Sequence, residues 1–227
     1  MIALAPLLAA LVAFGLYFFY KRWRDQSLLN KPFPENWLTI VESRLPIYSA
    51  LSPEEQSQLR QRIKFFIDRK DFYGCAGLIL TDEIRVTIAA EACLLLLKKK
   101  RPIYPKLTAI LVYPTAFRVE REQQQADGTI ASGSRGMLGE SWDNGRVILS
   151  WDDVEKGVRD ITDGHNVVLH EFAHQLDAES GSTNGAPPLR RNSYTAWARI
   201  FSDNFKDLDA RSNTGLKTVM DQYGATN

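Results

Sequence analysis

The chain has 227 residues, with 28 Lys+Arg against 27 Asp+Glu for a formal net charge of +1, 44% hydrophobic residues, two Cys and three His. That length and apolar content can build a core for one large domain, or for a small module plus a catalytic one, and they exclude disordered, collagenous and disulfide-stapled chains. Near-neutral charge supplies no broad positive field, so direct nucleic-acid binding is not expected.

The apolar residues are unevenly spread. Residues 1–20 carry no charged side chain, and 18 of the 20 are hydrophobic. As a helix such a stretch reaches about 30 Å, the hydrocarbon thickness of a bilayer. No basic residue precedes it and aromatics close it, which is unlike a cleaved signal peptide. Lys21, Arg22 and Arg24 follow directly, with Tyr17, Tyr20 and Trp23 suited to an interface. The expectation is one transmembrane helix, with residues 1–24 as anchor and basic flank and residues 2–20 in the lipid. The positive-inside tendency puts the remainder on the cytoplasmic side of a bacterial inner membrane; the alternative is a cytoplasmic protein.

Residues 25–52 read as irregular, broken by Pro32, Pro34 and Pro46. Ser52-Pro53-Glu54-Glu55 is a capping box, and Leu59, Ile63, Phe66 and Ile67 give the helix it starts one apolar face, to about Lys70. Thr81-Asp82-Glu83 starts a second helix through VTIAAEACLLLL, ended by the basic run Lys98 to Arg101, which reads as a solvated helix end. Cys75 and Cys93 read as buried free thiols. Leu107 to Tyr113 and Arg146 to Trp151 have strand character, the second after the turn signal Asp143-Asn144-Gly145. That second strand is either a core strand or an edge for an extended peptide. The implied domains are a helical subdomain at 25–105 and a catalytic core at 106–227.

The chemistry is concentrated in Asp163 to Asp177, which contains His170-Glu171-Phe172-Ala173-His174. Two His four apart on a helix project from one face, so both imidazoles reach one ion, and the intervening Glu lies close enough to handle a metal-activated water. Leu169, Phe172, Ala173 and Leu176 supply the helical apolar spacing. Zn2+ is the expected cofactor, with His170 and His174 as ligands, Glu171 as general base and peptide as substrate.

A catalytic zinc usually has a third protein ligand. Asp177 lies too far along an unbroken helix from His170 to share its ion, and reads either as a residue that orients the site from outside the coordination sphere or as a surface acid. His165 reads as a capping or surface residue. Arg190, Arg191, Tyr194 and Trp197 follow a Gly-rich and Pro-containing stretch in a segment that reads as a lid or partner surface, or, for Tyr194, Trp197 and Phe201, as core packing.

HEFAHQLD, together with GCAGL, RVTIAAEACLLLL, SWDNGRVILSWDDV and the closing YGATN, resembles the Mlc titration factor A family of zinc-dependent peptidases over residues 30–227. The resemblance implies an α+β, zincin-like core of gluzincin type and an aminopeptidase-like activity. In some members it also implies binding to a transcriptional repressor of the Mlc type, so the alternative function is a membrane-tethered protein that sequesters such a repressor. It further implies that Tyr223 stabilises an oxyanion, and that the third ligand is a Glu just beyond Asn227, where the catalytic core is expected to be cut short.

Overall fold

The computed structural model describes residues 4–98, 102–124, 130–137, 139–142, 145–161, 164–179, 181, 185–186, 189–214 and 216. Helices α1 (Leu4–Asn30), α2 (Glu35–Arg44) and α3 (Pro53–Arg69) are followed by β1 (Asp71–Gly74), α4 (Asp82–Leu94) and β2 (Ala109–Tyr113). Then come β3 (Phe117–Gln124), β4 (Ile130–Met137), β5 (Gly139–Trp142), β6 (Arg146–Ser150), α5 (Trp151–Arg159), α6 (Val167–Ala178) and α7 (Tyr194–Asn213). The architecture is α+β and dominated by helix. Its main sheet has the order β1-β2-β6-β5, parallel except for β5, while β3 and β4 form a separate antiparallel pair.

Local signals account for most of these elements. Ser52 Oγ accepts from the Glu55 N–H and Glu55 Oε2 accepts from the Ser52 N–H, closing the capping box that starts α3. Thr81 Oγ1 accepts from the Ile84 N–H at the start of α4. Lys98, the described member of the basic run, lies 2.7 Å from Glu55, so it joins the end of the α4 segment to the start of α3. Gly145 enters β6 with φ +79, and a Cβ there would sit 2.5 Å from the Lys106 carbonyl oxygen, so only glycine fits the turn. The Asp143-Asn144 half of that turn lies outside the described residues.

Several expectations need correction. The segment 25–52 is mostly helical: α1 runs on to Asn30, Pro34 caps α2 without breaking it, and Val41 of α2 enters the core. The strand after Gly145 ends at Ser150, whose hydroxyl accepts from the Asp153 N–H and starts α5 at Trp151. It cannot offer an edge to a peptide, because β2 pairs along one side and β5 along the other. Cys93 is buried, but Cys75 is only half-buried.

The structure gives no support to the transmembrane helix expected over residues 1–20. Among the described residues no helix is long and apolar enough to cross a membrane. The apolar part of α1 runs from Leu4, the first described residue, to Tyr20. Beyond it α1 continues through its charged residues into contact with the folded body. Arg24 and Asp25 pair with Asp68 and Arg69 of α3, and Lys64 Nζ donates to the carbonyl oxygens of Leu28, Leu29 and Lys31.

One hydrophobic cluster runs from Val41 to Leu176, and β1 and β2 share a sheet across the division expected between residues 105 and 106. At its centre Phe66, Tyr104 and Phe172 meet edge-on or tilted, with ring centroids 4.9–6.1 Å apart. Lys70 Nζ braces the same region by donating to the carbonyl oxygens of Tyr104 and Leu107, each at 2.6 Å. Burial, and then neighbouring Arg69, pushes the Lys70 ammonium down to about 8.

Candidate metal centre

The helix that carries the His pair is set from its N-terminus. Asn166 is the N-cap: its Oδ1 accepts from the Leu169 N–H (2.8 Å) and its backbone carbonyl from the His170 N–H (3.0 Å). Val168, Phe172 and Leu176 are buried, and Phe172 docks between Phe66 and Tyr104, which fixes how α6 is rotated. With that face inward, His170 and His174 are exposed on the outer side. Glu171, one position round, is only 4% exposed.

The two imidazoles face each other. Their Nε2 atoms are 3.1 Å apart, with ring centroids at 4.6 Å and ring planes at 87°. Two nitrogens held about 2.0–2.1 Å from one tetrahedral ion lie about 3.3 Å apart, so the observed pair has close to the spacing of two ligands of one zinc. Partial withdrawal of the His170 ring from water, and then the nearby His174, lowers the His170 pKa below its ordinary value. That shift favours the neutral imidazole, the form that binds a metal. The donor set therefore fits a metal as far as it goes. Among the described residues no third His, Cys, Asp or Glu joins the pair to complete a metal-holding group.

The other candidate residues separate. Asp177 is buried, and its Oδ2 accepts from the Gly185 N–H at 2.9 Å, so it is no surface acid and it holds the segment that follows α6. His165 is exposed, and the cap is its neighbour Asn166. Tyr223 lies outside the described residues. Tyr194, Trp197 and Phe201 are exposed, contrary to the core packing expected of them: Trp197 and Phe201 stack on each other, and Trp197 Nε1 donates to the Gly185 carbonyl oxygen.

Sequence reasoning missed two residues that shape the start of α6. Asn166, three residues before Leu169, carries an ordinary N-cap signal that could have been read. Gly157 of α5 gives no such signal, yet a Cβ there would lie 3.0 Å from the His165 carbonyl oxygen and 3.2 Å from the Asn166 Cα. A side chain there would have to push these backbone atoms away by a few tenths of an ångström, so glycine eases the close approach of α5.

Residues 20–227 match the family described as glucose-regulated metallo-peptidase M90. The chain belongs to that family. It is similar to an uncharacterized protein of Synechocystis sp., 44% identical over 208 residues that cover 90% of this chain and 75% of the relative. It is also 32% identical to the Mlc titration factor A of Serratia proteamaculans over 185 residues, 80% of this chain and 70% of the relative. Identity to the Mlc titration factor A of Yersinia pestis is 30% over 204 residues, 87% of this chain and 74% of the relative. The expected resemblance to the Mlc titration factor A family thus holds. Membership in M90 marks the chain as a metallopeptidase and implies a metal ion.

Proposed function

We propose that this M90 member is a zinc-dependent, aminopeptidase-like peptidase of gluzincin type, with His170 and His174 as two of its metal ligands and Glu171 as general base. The observation that carries the proposal is the pair of imidazole nitrogens 3.1 Å apart on one face of α6, with a buried Glu171 beside them. Zinc, when bound there, supplies a Lewis acid for the scissile carbonyl and a more acidic water. His170 and His174 hold and orient it. The Glu171 carboxylate takes a proton from the attacking water and gives it to the leaving amine. The Tyr223 hydroxyl donates to the oxygen on which negative charge develops. Asp177 keeps the end of α6 in place through Gly185. Stripping the metal with a chelator is expected to abolish peptide cleavage, and added Zn2+ to restore it. Cleavage that survives complete removal of metal contradicts the proposal.

A second reading takes its support from the relatives named Mlc titration factor A. In it the chain binds a transcriptional repressor of the Mlc type, independently of catalysis. The Glu171→Gln protein is then expected to capture such a repressor as well as the unsubstituted protein does. Loss of capture in that variant contradicts the second reading.

We place the chain at the cytoplasmic face of a bacterial inner membrane. Support comes from α1, where Leu8, Leu11, Val12, Phe14 and the run Leu16 to Tyr20 are all at least half exposed. Five consecutive residues of a helix cover its whole circumference, so this segment is apolar all round, a pattern that calls for lipid more than for a groove on one side.

A further inference from the structure

Glu91 lies in the apolar middle of α4, 75 positions before Asn166 in sequence, and it is 3% exposed. Asn166 Nδ2 donates to Glu91 Oε1 at 2.6 Å. The same Asn166 offers its Oδ1 and its backbone carbonyl to the Leu169 and His170 N–H groups. A continuous chain of hydrogen bonds therefore runs from the side chain of Glu91, through one asparagine, to the backbone of His170. From the other side Gly157 closes on the Asn166 backbone, with a Cβ-to-Cα distance of only 3.2 Å were a side chain present. Asn166 thus lies between a buried carboxyl and a closely packed helix.

For stability alone Glu91 is a poor choice. Its Oε2 is buried with no hydrogen-bond partner among the described residues. Such a group carries an uncompensated desolvation cost, whereas an apolar residue of the same shape carries none. The hydrogen bond that Glu91 makes with Asn166 fixes the amide orientation of that asparagine, because the amide oxygen can cap α6 only while the amide nitrogen points at Glu91.

We propose that Glu91 is a positioning residue for the His170–His174 pair, acting through Asn166 to set where α6 begins and in which direction His170 projects. The hydrogen-bond relay stands on its own geometry, and its consequence for metal rests on the reading of the pair as a zinc site. Burial of Glu91 agrees with this role, since it raises the carboxyl to about 7 against the smaller opposing effect of the Asn166 bond. A carboxyl that is neutral half the time still offers an acceptor oxygen to the Asn166 amide.

The test compares Glu91→Leu, which fills the same space without an acceptor, with Glu91→Gln, which keeps one. Hydrogen exchange at the backbone amides of Leu169 to Phe172 is measured on the metal-free protein, with Leu59 to Phe66 of α3 as reference, and Zn2+ alone is titrated into each protein. Glu91→Leu is expected to speed exchange at the start of α6 about tenfold with α3 nearly unchanged, and to weaken zinc about tenfold. Glu91→Gln is expected to restore both to within about threefold of the unsubstituted protein. Equal exchange in Glu91→Leu and the unsubstituted protein, a parallel rise in α3 and α6, or failure of Gln to rescue overturns the proposal. An intact zinc affinity despite a loosened α6 overturns the positioning role. An unsubstituted protein that binds no zinc refutes the metal reading instead, while the exchange comparison still decides the relay.

Discussion

At the scale of single residues, the start of α6 depends on groups chosen for fit more than for helix propensity. Alanine ordinarily stabilises a helix relative to glycine, by up to about 1 kcal/mol. At position 157 the opposite is expected, because the atoms a Cβ would meet are backbone atoms of a loop held by Glu91. Gly157→Ala should lower stability by about 1–3 kcal/mol, as overpacked sites do, and urea unfolding checks the sign. Glu91 also makes stability depend on pH. Its carboxyl titrates at about 7 when folded against 4.5 when unfolded, so between those values the folded chain holds more protons. Its contribution is fully present below pH 4.5, falls as pH rises toward 7 and stays lost above, a swing on the order of 3 kcal/mol. The difference in unfolding free energy between the unsubstituted and Glu91→Gln proteins should change by that amount between pH 4.5 and 8. A difference that stays flat across this range would show that Glu91 is ionised throughout.

At the scale of elements, α6 is aimed by its buried side. Phe172 packs against Phe66 and Tyr104, and the two His are exposed because that aromatic lies inward. Phe172→Ala should therefore cost about 3–5 kcal/mol by thermal or urea unfolding, and zinc affinity should fall with it. A loss well under 1 kcal/mol would mean that α6 is held by its cap alone. The periodicity of Leu169, Phe172 and Leu176 made this helix and its His pair legible in the sequence, as the capping box made α3. What stayed hidden was long-range: β1 has only four residues, and its place comes from pairing with β2. The partner of Asn166 stands 75 positions away, and an acid within VTIAAEACLLLL gave no sign of its target. Helix α2 was obscured by prolines that precede it and do not interrupt it.

At the scale of the whole molecule, α1 is joined to α3 by Arg24–Asp68 and Asp25–Arg69, while its apolar length projects unpartnered among the described residues. The protein is expected to float with lipid vesicles, and substituting Phe14, Phe18 and Phe19 with Ser should return it to the soluble fraction. Flotation that is unaltered by those changes would remove α1 from the account of where the chain works. The body behind it presents two imidazoles at metal-ligand spacing with a buried carboxyl beside them, in a chain of the M90 metallo-peptidase family. The most direct test of that arrangement is peptide hydrolysis by Glu171→Gln, with bound zinc measured on the same samples. The expected result is loss of cleavage by about 100-fold or more with zinc content and unfolding midpoint unchanged. Undiminished cleavage by a zinc-loaded Glu171→Gln protein would contradict the assignment of Glu171 as the base.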